Sequence, residues 1–169
     1  MIGFEAYTGK LLETELLGQT PKSSSKERGL DYLPFRQAIE QVKNMQPGDP
    51  TDPTPRFSND LHCTVAEFCG IEDYSKLSLY TAVGSSLDHF HGVDAFFELN
   101  GGFGGVIRVT IDVTKNPHKD AYKADIVLYI PEELLDLVDN KSGYNKLVVD
   151  SASRIAELLM QKKGEYLNG

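Results

Sequence analysis

Asp94 and Asp112 are the two residues of this sequence best placed to do chemistry together. They flank a glycine-rich turn in the run HGVDAFFELNGGFGGVIRVTIDVT, each nine residues from Phe103. Paired carboxylates hold a divalent cation through hard oxygen ligands, or share a proton. The elements that must position them are two strands. Val93 to Leu99 and Val106 to Val113 are apolar, β-branched and aromatic, and Asn100 to Gly105 between them is largely glycine, so the segment predicts a β-hairpin. A hairpin centred on Phe103 makes the two aspartates direct cross-strand neighbours, with Cβ atoms roughly 5 Å apart. Like charges so placed repel, and the remedies are a bound cation, a raised pKa or an inserted basic side chain. A divalent metal is the preferred remedy. Strand alternation agrees: Val109, Ile111 and Val113 form an apolar face, while Arg108, Thr110, Asp112 and Thr114 form a polar one. A one-residue slip of the turn would instead leave both aspartates as solvated edge charges.

The chain around this hairpin has 169 residues, 40% of them apolar, enough for one domain with a core of its own. A short apolar stretch at Leu11 to Leu17 precedes GQTPKSSSKERG, a polar tract with little to bury, expected to be mobile. Leu33 to Met45 has the three-and-four apolar spacing of an amphipathic helix, and PGDPTDPTP stops it. A second helix is expected from Ser58 through Cys69, with Ser58 or Asn59 as its cap. Lys76 to Val83 alternates like a strand, GSSLDHFHG links it to the hairpin, and Ala124 to Ile130 forms a last strand. PEELLDLVD reads as a short helix, and Val148 to Lys163 as a longer one. The division expected is an N-terminal helical extension with a Pro-rich connector over 1–56, followed by a core over 57–169. The class is α/β or α+β, around a mixed sheet flanked by helices.

A net charge of −8 and a pI near 5.0 repel nucleic acid and acidic membranes, so any nucleic-acid contact must be local. The two cysteines, Cys63 and Cys69, do not make a secreted disulfide scaffold and are expected to be reduced and structural. With His62 they lack the second ligand pair of a zinc site. No apolar run approaches the roughly 20 residues that span a bilayer, so a cytoplasmic location is expected. GGFGG lies at a hairpin turn rather than between strand and helix, so it is not a phosphate cradle.

Glu67 on a first helix, then a strand, then HGVDAFF, then a hairpin leading to TIDVT, resembles the core of the PD-(D/E)XK, or restriction-endonuclease-like, nuclease superfamily. The resemblance covers Ser58 to Ile130 and extends to Asp88 and Gly92. It places Asp94 at the family's first acidic position and Asp112 at the second, with Thr114 where the family's lysine would stand. It implies a restriction-endonuclease-like fold and a metal-dependent endonuclease that hydrolyses phosphodiester bonds of nucleic acid, with DNA the expected substrate. Asp94 and Asp112 would bind Mg²⁺ or Mn²⁺, Glu67 would be an auxiliary metal ligand, and Lys119 or Lys115 would replace the missing cation. Lys119 is the better choice, because Lys115 points away from Asp112 if the strand continues. Lys123, Arg108 and His118 complete a local basic patch, His89 or His91 could meet a phosphate, and Tyr74, Tyr80, Tyr122, Tyr129 and Tyr144 are the candidate base-stacking rings. Families like this often act as a homodimer or larger nuclease complex. The alternative is a nuclease-like fold without hydrolysis, serving as a binding or assembly module; a third reading treats the acids as accidents of a structural protein.

Overall fold

The computed structural model describes residues 11–21, 31–102, 104–119, 123–131 and 141–169. Among the described residues it is a mixed α+β fold, with five α-helices around one four-stranded sheet. Residues 11–17 form α1; α2 is Phe35–Asn44, α3 Arg56–Phe68, α4 Ser86–His91 and α5 Lys141–Asn168. The strands β1 (Leu77–Thr81), β2 (Ala95–Asn100), β3 (Val106–Thr114) and β4 (Ile126–Tyr129) lie side by side in chain order. The first three run antiparallel, and β4 runs parallel to β3. That last pairing overlaps by only four residues, Ile111↔Ile126 to Thr114↔Tyr129, so the connection returns over little more than 10 Å.

The β2–β3 ladder runs from Ala95↔Ile111 to Asn100↔Val106, the register expected of a hairpin centred on residue 103. Its odd-numbered face carries Ala95, Phe97, Leu99, Ile107, Val109, Ile111 and Val113 into the main apolar core. α3 and α5 pack on that face, with α5 burying a helical stripe of Tyr144, Val148, Ala152, Ile155 and Leu159. On the other face, Phe96 stacks on Tyr80 and packs with Ala38, Ile39 and Val42 of α2 and Leu87 of α4. Phe96 and Phe97 are fully buried on opposite faces, each contributing on the order of 2–3 kcal/mol by burial.

Several expectations need revision. α3 begins at Arg56, directly after Pro55, without a side-chain cap; Ser58 lies inside the helix and its hydroxyl donates to the Leu16 carbonyl. GSSLDHFHG is not a plain link, because it contains α4. Within the N-terminal segment, Leu12, Leu16 and Leu17 are buried in the main cluster. The Pro-rich connector shields the β1 edge, where Leu79 N–H donates to the Pro50 carbonyl. Gln46 extends that protection, its side-chain amide accepting from Thr81 N–H at 3.0 Å and donating to Thr81 C=O at 2.9 Å. Residues 132–139 of PEELLDLVD and most of the polar tract after Thr20 lie outside the described residues. Among the described residues, no helix is long and apolar enough to cross a membrane.

Candidate functional site

Asp94 sits immediately before β2, where three segments meet. Its backbone is held on both sides: its N–H donates to Ile111 C=O and its C=O accepts from Ala82 N–H, each at 2.8 Å. Gly92, in the left-handed conformation at φ 66°, ends α4 and turns the chain into this position. The side chain points to the even-numbered face, shared with Asp112 as strand alternation requires. Asp94 Oδ2 accepts from Val113 N–H at 2.7 Å, and the Asp94 carboxyl meets that of Asp112.

Two further acids converge there. Glu13 comes from α1, whose neighbours Leu12, Leu16 and Leu17 bury in the core and fix the helix orientation. Asp88 comes from the first turn of α4, where the Ser85 hydroxyl accepts from Asp88 N–H and Asp88 Oδ2 accepts from Gly84 N–H. This reciprocal arrangement resembles a capping box and locks the Asp88 rotamer. Glu13, Asp88 and Asp94 each offer one carboxylate oxygen within 4.8 Å of the others. The donors are all carboxylate oxygens, which suits hard cations such as Mg²⁺, Mn²⁺ or Ca²⁺ rather than zinc.

The electrostatics follow. Burial pushes the Asp94 carboxyl up to about 10, Glu13 adds to the rise, the Val113 N–H opposes it, and contact with Asp112 and the charge of Asp88 raise it further. Lys119 supplies local cationic charge, its Nζ 2.5 Å from Asp112 Oδ2. Burial works against the charged ammonium, but the Asp112 hydrogen bond and the charges of Asp112, Asp94 and Glu13 outweigh it and raise the Lys119 pKa. The turn after β3 explains the reach: Thr114 Oγ1 accepts from Asn116 N–H, Asn116 Oδ1 accepts from His118 N–H, and the chain folds back to bring Lys119 over the acidic face. The Thr114 hydroxyl is therefore engaged in building that turn.

Of the residues anticipated from sequence, the structure brings Asp94, Asp112 and Lys119 together and adds Asp88. Glu67 is not among them: it is exposed near the C-terminal end of α3, a helix packed on α5 and β1. The helical acid of the cluster is Glu13. Arg108 is also committed elsewhere, holding Glu98 through its Nε and Nη2 at 2.8 and 2.6 Å. Lys115 follows Thr114 on the far side of β3 from Asp112 by strand alternation and is half-buried. Lys123 lays its side chain over Gly92, so that a Cβ there would meet its Cδ at 3.4 Å. His118 and His89 are exposed, and His91 is bonded to the Leu33 carbonyl at 2.7 Å.

His62 is buried and bonded to the Leu77 carbonyl at 2.7 Å, and Cys63 and Cys69 are free thiols. Burial raises the pKa of both thiols, with Asp60 adding to the rise at Cys63, which leaves them poor nucleophiles. A cavity of about 490 Å³ lies between the Pro-rich connector and β1, lined in part by Gln46, Pro50, Pro53, Pro55 and Leu79; none of the four clustered acids lines it. Glu13 was missed in the sequence because LLETELL reads simply as an apolar stretch; nothing local marks its one inward-reaching carboxylate.

No protein-family model matches this chain, and no curated protein or solved structure is significantly similar to it.

Proposed function

We propose that this protein is a metal-dependent endonuclease with a restriction-endonuclease-like core, hydrolysing phosphodiester bonds of nucleic acid. The observation that carries the reading is the convergence of Glu13, Asp88, Asp94 and Asp112 at one end of the sheet, with a buried carboxyl at its centre. Glu13, Asp88 and Asp94 would hold Mg²⁺ or Mn²⁺, Glu13 taking the place expected of Glu67. A divalent ion in such a site supplies Lewis acidity and a bound water of lowered pKa.

The chain's own groups do the positioning. Val113 N–H and Gly84 N–H each fix one oxygen of Asp94 and Asp88, leaving the other available to the cluster. Lys119, held by Asp112, places a positive charge where negative charge would develop on a transferring phosphate. It provides the cation that Thr114 cannot. Asp94 carries a proton at neutral pH in the metal-free protein, and that proton must leave when an ion enters.

The test is calorimetric titration of Mg²⁺ and Mn²⁺ into the wild type and Asp94→Asn, with plasmid cleavage measured on the same samples. Binding and nicking by the wild type, both abolished in Asp94→Asn, are expected. A wild type that binds neither ion overturns the reading. The second reading, a nuclease-like binding or assembly module, draws on the Asp112–Lys119 pair and the net charge of −8. It expects metal binding or none, and no cleavage in either case.

A further inference from the structure

α4 carries more than Asp88. The next three residues are His89, Phe90 and His91, and the segment before α2 lies alongside them. Leu33 ties that segment down through both backbone groups: its N–H donates to Ser86 Oγ at 3.2 Å, and its carbonyl is bonded to His91 Nε2 at 2.7 Å. Tyr32 then meets Phe90 edge-on, with ring centroids 5.4 Å apart at 82°, and lies 5.5 Å from His91. Phe35 closes on His91 at 5.6 Å, and His89 stands on Phe90 at 4.6 Å.

These five rings form one continuous ledge, yet Tyr32 and Phe35 remain 61% and 41% exposed. Scattered exposed apolar residues are ordinary on any protein surface; a contiguous, backbone-anchored set is not. The fold buries other rings completely, as at Phe96 and Phe97, so aromatic content alone does not force this exposure. Cationic charge lies at the ledge as well, with Lys123 Nζ 3.4 Å from the Phe90 carbonyl oxygen. The same short helix joins the ledge to the acid cluster, because Asp88 and Phe90 lie within one turn of each other.

We infer that this ledge is a base-stacking platform for single-stranded nucleic acid, feeding the strand toward the acid cluster. The inference rests on the nuclease reading for its substrate class and deepens it. Base faces are open to stacking only when unpaired, and stacking is tolerant of sequence. A chain of net charge −8 also gains little from the dense phosphate charge of a duplex, so aromatic contact is the interaction left to supply affinity. Lys123 and the exposed His89 meet the backbone locally. Tyr32, 61% exposed against 41% for Phe35, is the ring best placed to take a base.

The experiment is fluorescence anisotropy of a labelled oligothymidylate of about 20 nucleotides, several times the smallest footprints of single-strand binders. A labelled duplex of equal length serves as comparison, in EDTA at low salt, with full-length wild type, Asp94→Asn, Tyr32→Ala and Tyr32→Phe. The wild type and Asp94→Asn are expected to prefer the single strand. Tyr32→Ala should bind it roughly 5- to 150-fold more weakly, whereas Tyr32→Phe should keep near-wild-type affinity. Tyr32 is mostly solvated, so neither change threatens the fold, and thermal melting confirms this. Equal binding of duplex and single strand, no oligonucleotide binding, or indifference to Tyr32→Ala overturns the inference. If plasmid is still cut with Mg²⁺ in that event, the nuclease reading survives alone. Conversely, Tyr32-dependent binding without any cleavage keeps the ledge and removes the nuclease.

Discussion

Asp94 and Glu98 stand four residues apart near and on β2, face the same side of the sheet and are both buried, yet they are neutralised in opposite ways. Glu98 sits between two cations, Lys43 of α2 at 2.8 Å and Arg108 of β3 at 2.6 Å. Those cations also lie over Tyr80 and Phe96, at 5.8 Å in each case, so the carboxylate is enclosed by a complete ionic and aromatic frame. Asp94 is flanked by acids and accepts one backbone N–H, while the cation of the site, Lys119, is bound to Asp112; Asp94 holds a proton instead. A buried carboxylate that serves only the fold is built with its counter-charges, as at Glu98. One packed among other carboxylates destabilises the fold unless a proton or an ion compensates, and such perturbed groups concentrate at functional sites.

The largest expected consequence is in pH dependence. Because the folded-state pKa of Asp94 lies above its value of about 4 in the unfolded chain, the native state binds more protons between those limits. Stability of the metal-free protein should therefore be greatest near pH 4 to 5 and fall as pH rises toward about 10, by at most about 1.4 kcal/mol per pH unit for one proton. Asp49, Asp73 and Asp125, whose pKa values are lowered, act in the opposite sense only below about pH 4 and leave this window clear. Melting temperatures of the wild type and Asp94→Asn, in EDTA from pH 5 to 9, measure the effect: the wild-type slope should flatten in the variant. Mg²⁺ should reverse the trend, raising the wild-type melting temperature more at pH 8 to 9 than at pH 5. A wild-type melting curve unchanged across the range would place Asp94 in the same class as Glu98.

Next in size is the direct contrast between the two acids. Glu98→Ala leaves Lys43 and Arg108 facing each other across a cavity. Both cations are about one-third exposed, so the cost falls below that of a fully buried pair, at about 2–3 kcal/mol or 5–10 °C in melting temperature. Asp94→Asn in metal-free buffer at pH 8 should cost less than about 1 kcal/mol or be stabilising, because a neutral amide needs no proton taken up on folding and keeps the side-chain volume. Chemical denaturation of both variants compares them. Equal losses would mean that both carboxylates serve the fold alone.

The sequence made some of this arrangement readable and hid the rest for physical reasons. The hairpin register was legible because strand periodicity and a glycine-rich turn between two apolar runs leave few ways to pair them, and the observed ladder follows. The return of Lys119 was legible because Asn116 and Pro117 mark a turn immediately after the strand. Glu13 was not, because contacts with residues far along the chain fix its place. Ser58 bonds Leu16 C=O and Thr20 bonds Val83 C=O, and no local pattern records either. α4 left a signal in Ser85, Asp88 and Gly92, but six residues are too few to show helical periodicity. The aromatic ledge was obscured because long-range bonds of Leu33 to Ser86 and His91 bring Tyr32 to α4, while three of the candidate rings have structural surroundings: Tyr80 on Phe96, Tyr144 bonded to Asp60 and Tyr74 edge-on to His62.

The smallest expected effect separates the acid that sequence suggested from the one the fold supplies. Glu67 is exposed on α3, so Glu67→Gln should alter stability by no more than about 0.5 kcal/mol and leave metal affinity and cleavage unchanged. Glu13→Gln removes one of three converging carboxylate oxygens and should weaken Mg²⁺ binding by roughly 10- to 100-fold, within the range seen when groups at a metal site are lost. The same change removes a charge that helps raise the Asp94 pKa, so it should also flatten the pH slope of the metal-free protein at the alkaline end of the series. Calorimetry and the melting series read both effects on one sample. A slope that softens while metal affinity stays constant would assign Glu13 to the electrostatics of Asp94 rather than to the ion; loss of affinity in Glu67→Gln would return the helical ligand to α3 and require α1 to give up its place in the cluster.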